Sequence, residues 1–195
     1  MNDQSEANYI YTYACHEDER ELCRLELHSL LGNEPSTRHV ISSRCIEPSR
    51  SPFIHERLTV LIEGSTLEEL EERTKGLHMG NDSFKLRFLD ADYKESYEGK
   101  RQIERQIGAV IIGQVDMKQP KRLLGITYAG GRWVLGDCKQ SEAVWLQHGQ
   151  KPRQYSTALS TRVARATANI ALPEPEGRRL IDPCCGIGTV LIEAL

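Results

Sequence analysis

The segment Asp182 to Leu195, Asp-Pro-Cys-Cys-Gly-Ile-Gly-Thr-Val-Leu-Ile-Glu-Ala-Leu, constrains the fold more than any other part of the chain. Arg179, Leu180 and Ile181 form a short run suited to a buried strand, and Asp182-Pro183 closes it. Gly186 and Gly188 let the backbone turn tightly and approach a ligand with no Cβ in the way. From Thr189 onward the spacing fits a helix, with Val190, Leu191 and Ala194 as apolar positions. A helix beginning there presents unpaired N–H groups and the positive end of its dipole to whatever lies against the loop. A strand, a glycine turn and a helix in this order is how an α/β fold holds a nucleotide-like molecule.

Two other glycine-loop chemistries fit less well. A dinucleotide fingerprint needs a third glycine, but position 191 is Leu. A phosphate-binding P-loop needs a Gly-Lys-Ser/Thr ending, and no lysine follows Gly188.

The full pattern, Asp-Pro-x-Cys-Gly-x-Gly-Thr-x-x-Ile-Glu-Ala, resembles the S-adenosylmethionine-binding motif of class I RNA methyltransferases. It is most similar to the tRNA guanine-N2 methyltransferase type, which carries a THUMP-containing N-terminal region. The resemblance implies cofactor-binding roles for Asp182, Pro183, Cys185, Gly186, Gly188, Thr189 and Glu193, with the loop under the methionine end and ribose of S-adenosylmethionine. Cys184 departs from the family, which more often has an aromatic residue there.

Upstream, the pattern predicts a strand over 8–15 with Tyr9, Tyr11 and Tyr13 on one face, then an acidic-fronted helix over 17–31 stopped by Gly32. Strands over 39–46 and 57–63 follow. Thr66-Leu67-Glu68-Glu69 reads as a capping box opening a second helix, and 83–89 alternates as a fourth strand. The order β-α-β-β-α-β is the ferredoxin-like arrangement. After the polar stretch 90–99, Ile103, Ile107, Val110 and Ile111 mark a basic helix. Asp116 to Pro120 turns the chain, and strands over 123–128 and 133–138 flank the hairpin signal Gly130-Gly131. Residues 98 to 148 resemble the THUMP portion of the same family. A helix over 157–171, capped by Ser156 and buried along Leu159, Val163, Ala166 and Ile170, leads back to the glycine loop.

The expected fold class is therefore an α+β N-terminal region, ferredoxin-like plus THUMP-like, followed by the start of a Rossmann-like α/β methyltransferase domain. The expected boundaries are 1–92 (ferredoxin-like), 93–150 (THUMP-like, RNA-binding) and 151–195 (the incomplete methyltransferase domain).

Composition narrows the partners. Net charge is -3, so no broad basic face covers the molecule. Basic residues gather at Lys100, Arg101 and Arg105, at Lys118, Lys121 and Arg122, and at Lys151, Arg153, Arg162 and Arg165, which confines RNA contact to the middle and C-terminal parts. Lys151 and Arg153 divide evenly between touching RNA phosphate and shaping the cofactor floor. The six cysteines show no Cys-x-x-Cys spacing, so neither a metal site nor a disulfide framework is expected. The acidic, polar start Met1 to Glu6 is unlike a signal peptide, and no apolar run is long enough to span a bilayer, so the cytoplasm is the expected location.

The resemblance also implies what these 195 residues lack. The Asn/Asp-Pro-Pro-Tyr/Phe tetrapeptide with which N-methyltransferases align the target amine is absent, and Asp116 is separated from Pro120 by three residues. Catalytic residues are expected beyond residue 195, the chain is expected to be a fragment, and alone it is expected to be inactive. The implied partner is RNA, in particular tRNA. The alternatives are a non-catalytic RNA-binding module and a nicotinamide-dependent enzyme.

Overall fold

The computed structural model describes residues 9–149 and 158–195. Its centre is one seven-stranded mixed sheet in the order β2-β1-β3-β7-β6-β4-β5. The strands are β1 (Tyr9–Tyr13), β2 (His39–Ser42), β3 (Ile54–Gly64), β4 (His78–Phe88), β5 (Ile112–Val115), β6 (Arg122–Ala129) and β7 (Arg132–Gln140). Antiparallel pairing runs from β2 through to β6, and β4 is parallel to both β6 and β5.

The first six elements occur in the expected chain order, but the sheet they build is not that of a free-standing ferredoxin-like domain. In that arrangement the last strand lies beside the first. Here the β6–β7 hairpin fills the space between β3 and β4, with β7 paired along β3 from Glu56↔Gln140 to Gly64↔Trp133. The cause is length: β3 is an eleven-residue strand, and its edge away from β1 needs a partner for its backbone groups. The hairpin supplies one, turning at Gly130 and Gly131, both at positive φ as a two-residue hairpin requires. The sheet therefore runs unbroken across residue 92, because β4 pairs with β5 and β6. Strand β5 was not legible in the pattern: its four residues are all exposed, and they continue the apolar end of the preceding helix.

Helix α1 (Arg20–Leu31) begins after a 3-10 turn at Glu17–Glu19 and stops at Gly32, which takes the left-handed conformation at φ 78°. Its inner face is Cys23, Glu26, Leu27, Leu30 and Leu31, while Leu25 points to solvent. Helix α2 (Leu67–Thr74) opens as the capping box predicts. The Thr66 hydroxyl accepts the Glu69 N–H at 3.1 Å, and the Glu69 carboxylate accepts the Ser65 N–H at 2.7 Å. Helix α3 (Tyr97–Val110) buries Ile103 and Ile107 against Phe84, Leu86, Phe88 and Leu124 of the sheet. Each such aliphatic side chain contributes roughly 1.5–3 kcal/mol by leaving water.

Helix α4 (Thr161–Ala171) is capped by Ser160, whose hydroxyl accepts the Val163 N–H at 3.2 Å; Ser156 lies outside the described residues. Its buried face also differs from the expected stripe. Ala164, Ala166, Ala168 and Asn169 are buried, whereas Leu159 is exposed and Val163 and Ile170 are only half-buried. Small side chains let α4 lie close on α1, where Ala166 joins Leu27, Leu30 and Phe53. Arg179 to Ile181, expected as a buried strand, pairs with none of the seven strands, and Ile181 is 81% exposed. A parallel strand exists only through its neighbours, and no neighbour lies beside this run among the described residues.

Candidate functional site: the glycine loop and its support

The loop between α4 and α5 (Thr189–Ala194) is built from local hydrogen bonds. Asp182 Oδ1 accepts the Cys184 N–H at 3.0 Å, an Asx turn that fixes the start of the loop. The Cys185 carbonyl accepts the Gly188 N–H at 2.7 Å, and the Gly188 carbonyl accepts the Ile192 N–H at 2.9 Å, starting the helix. Gly186 and Gly188 have φ of 56° and 78°, in the left-handed region where a Cβ is strained. A Cβ built on either glycine would meet no atom within 4 Å. The loop is thus tight in its backbone and open above it, the shape a ligand lying on main-chain N–H groups needs. Residues Pro183 to Gly186 are exposed.

The structure divides the residues expected to hold the cofactor. Asp182, Pro183, Cys185, Gly186 and Gly188 form the loop itself. Thr189 and Glu193, one helical turn apart, are the buried face of α5. The Glu193 side chain is 1% exposed. Its Oε2 accepts from Arg165 Nη1 at 3.0 Å, and its Oε1 lies 2.8 Å from His148 Nδ1. Both carboxylate oxygens are therefore engaged by groups beneath the loop. No sequence pattern joins positions 148, 165 and 193, which is why this trio was missed; an i, i+4 pair of polar residues on so short an apolar helix was the available hint. Lys151 and Arg153 lie outside the described residues.

Elsewhere, much of the basic charge is neutralised in place. Lys100 pairs with Asp90, Arg122 with Asp137, Lys121 with Asp82, and Arg162 with Glu19. Arg105 and Lys118 make no ion pair among the described residues. Trp133 sits among Phe88, Tyr93 and Tyr128 at 5.4–6.3 Å between ring centres, and Arg162 covers the ring of Trp145 at 5.5 Å. Both indoles are packing elements. Among the described residues no group of three or more His, Cys, Asp or Glu side chains is placed to hold a metal, and no helix is long and apolar enough to cross a membrane.

Residues 148–195 match the family described as UPF0020, RMKL-like, methyltransferase domain. The glycine loop lies inside the part of the chain that matches this methyltransferase-domain model. A relative among characterised proteins is the tRNA (guanine(10)-N2)-dimethyltransferase of Methanothermobacter thermautotrophicus, 30% identical over 104 residues. The match takes in 48% of this chain and 30% of the relative, so the chain spans about a third of that protein's length. Among solved structures, TrmN from Thermus thermophilus is 17% identical, with 96% of this chain and 61% of that one covered at a TM-score of 0.49. A 4-thiouridine synthetase in complex with RNA and ATP is 18% identical, with coverages of 69% and 42% at 0.44.

Proposed function

We propose that the chain is the N-terminal part of an S-adenosylmethionine-dependent RNA methyltransferase whose target is a guanine N2 in tRNA, acting in the cytoplasm. The observation that carries the reading is one of position. The segment matching a methyltransferase domain contains the loop whose two left-handed glycines leave open space above an ordered backbone. The relative that modifies guanine-N2 of tRNA supports the choice of substrate.

The residues fit the cofactor. Gly186 and Gly188 would bring main-chain groups against the methionine end and ribose, and Asp182 fixes the turn that presents them. Bound S-adenosylmethionine supplies a methyl group on a sulfonium, open to in-line displacement by an amine. The protein's part in such a reaction is alignment, which can lower a barrier by several kcal/mol, on the order of 7–11 in the best intramolecular cases. No Asn/Asp-Pro-Pro-Tyr/Phe segment that could align the amine occurs in the sequence, so no catalytic residue is assigned within 1–195. The sheet region, including the THUMP-like part over 93–150, would hold the RNA by shape and backbone contacts.

The test is calorimetric titration with S-adenosylmethionine, followed by methylation of tRNA. The full-length protein containing this chain is expected to bind the cofactor and methylate guanine N2, and the 195-residue chain alone to transfer no methyl group. Binding of tRNA by the full-length protein without cofactor binding would replace the reading with a non-catalytic RNA-binding module. Binding of a nicotinamide nucleotide in place of S-adenosylmethionine would replace it with an oxidoreductase.

A further inference from the structure

We propose that Glu193 is a positioning residue rather than a cofactor ligand, and that with Arg165 it forms a strut fixing the glycine loop to the N-terminal region. The inference rests on the glycine loop being the cofactor site.

The geometry is that of a joint between distant parts of the chain. Arg165, on α4, donates from each of the three nitrogens of its guanidinium. Nη1 donates to Glu193 Oε2 at 3.0 Å, Nε donates to the Arg50 carbonyl at 2.9 Å, and Nη2 donates to the Ser49 carbonyl at 3.1 Å. Ser49 and Arg50 belong to the 3-10 turn Pro48–Arg50 that connects β2 to β3. One planar side chain therefore touches α5 on one side and the connection from edge strand β2 to central strand β3 on the other. The fork geometry of arginine suits this role: its donors are held in a plane and cannot be reoriented one by one, as a lysine ammonium can.

A second bond pattern, parallel to the first, reinforces the turn. Arg50 Nε donates to Asn169 Oδ1 at 3.2 Å, and Arg50 Nη2 donates to the Leu172 carbonyl at 2.8 Å, at the end of α4. The turn and α4 are thus clasped from both directions, and α5 hangs on α4 through Glu193. His148, in the 3-10 helix Val144–Gly149 that follows β7, closes the other side of the Glu193 carboxylate. The backbone bonds described for the exposed residues Pro183 to Ile187 stay local, with Asp182 accepting from Cys184 and Cys185 accepting from Gly188. The position of the loop is set by what α5 is fastened to.

The consequence is functional. If RNA is held by the sheet region and the methyl donor by the loop, their separation is governed by the Glu193–Arg165–Ser49/Arg50 path. A displacement of about an ångström at reacting centres can lower a rate on the order of a hundredfold. A buried carboxylate with both oxygens engaged is a rigid fastener for such a path, since moving it would strand a charge without partners.

The experiment has two arms. In the first, hydrogen–deuterium exchange is followed by mass spectrometry on the 195-residue chain and its Glu193→Gln variant. The expected result is roughly tenfold faster exchange, together, in peptides covering 184–192 and 48–51, with β3 unchanged. Faster exchange confined to 184–192, or no change, overturns the strut. If Glu193→Gln also loosens β3, the milder His148→Ala variant decides, and the same two segments must respond together for the proposal to stand. In the second arm, the full-length protein is titrated with S-adenosylmethionine. Glu193→Gln is expected to weaken binding roughly tenfold along with the loosened loop. Weakened binding with unaltered exchange would make Glu193 a direct ligand and overturn the proposal. If the wild-type protein binds no S-adenosylmethionine, the cofactor reading fails, while the exchange arm still decides whether the strut exists.

Discussion

Asn169 on α4 donates its side-chain amide to Glu26 Oε1 on α1 at 2.6 Å, and Ser51 donates its hydroxyl to Glu26 Oε2 at 2.7 Å. A fully buried carboxyl thus sits at the meeting point of α1, α4 and the start of β3. Burial disfavours its ionised form and pushes its pKa up to about 7. The bonds from Ser51 and Asn169 and the nearby charges of Arg50 and Arg165 pull the other way but do not prevail.

This raised pKa makes stability depend on pH with a definite sign. In the unfolded chain Glu26 ionises near the ordinary carboxyl value of 4.5 and in the folded protein near 7. Between the two, the folded state holds a proton that the unfolded state has lost, so stability falls as pH rises through this window. The Glu26 contribution is fully present below about pH 4.5 and gone above about pH 7, a change on the order of 3 kcal/mol. Urea midpoints measured at intervals from pH 5 to pH 8 should show a decline for the wild type, over and above the titration of surface groups. The Glu26→Gln variant should be flatter across the same range. Parallel curves for the two proteins would contradict the assignment.

Asn169→Asp puts a second carboxyl within hydrogen-bond reach of the first. Two carboxylates in one buried site cannot both ionise cheaply, even with Arg50 Nε at 3.2 Å from the changed side chain. The variant should lose about 2 kcal/mol or more at pH 8 and recover much of it near pH 5, where the pair shares a proton. Asn169→Ala should lose stability with no such recovery. Thermal melting of both variants at the two pH values distinguishes them.

The elements that sequence made legible are those whose signals are local. Gly32 stops α1, Thr66 and Glu69 open α2, and Gly130-Gly131 turns the hairpin, because each acts on backbone within a few residues. Sheet order is not local. Nothing in the alternation of β3 says that its partners are Tyr9 to Tyr13 on one edge and Trp133 to Gln140 on the other. The buried side of α4 was misjudged for a related reason: apolar bulk at Leu159, Val163 and Ile170 marks a stripe, but the close approach to α1 selects alanine. At the glycine loop the residue types and spacing were enough to find the loop. They were not enough to separate Gly188, which shapes it, from Glu193, which fastens it from below.

Ser160→Ala should shorten α4 at its first turn. The hydroxyl satisfies the Val163 N–H, one of the donors a helix start leaves open, and its loss typically costs about 1 kcal/mol. Trp145, over which Arg162 lies, is close enough to report the change. Its fluorescence should shift toward that of a wetter indole before the global unfolding transition. Ser160→Asp should preserve the cap and leave both readings near wild type.

Gly188→Ala separates the backbone requirement of the loop from its steric one. The added methyl meets nothing within 4 Å, so no side chain or main chain has to move. What remains is the conformation: φ of 78° costs a residue with a Cβ about 1–2 kcal/mol. Global stability should fall by that amount or less, since the loop is exposed and can relax toward negative φ while the sheet stays intact. Relaxation would break the bond from the Gly188 N–H to the Cys185 carbonyl and change the direction of the chain into α5. Gly188→Ala should therefore bind S-adenosylmethionine at least tenfold more weakly with a melting temperature close to that of the wild type. A large loss of melting temperature with cofactor affinity retained would show that the glycine serves folding, and would move the cofactor away from this loop.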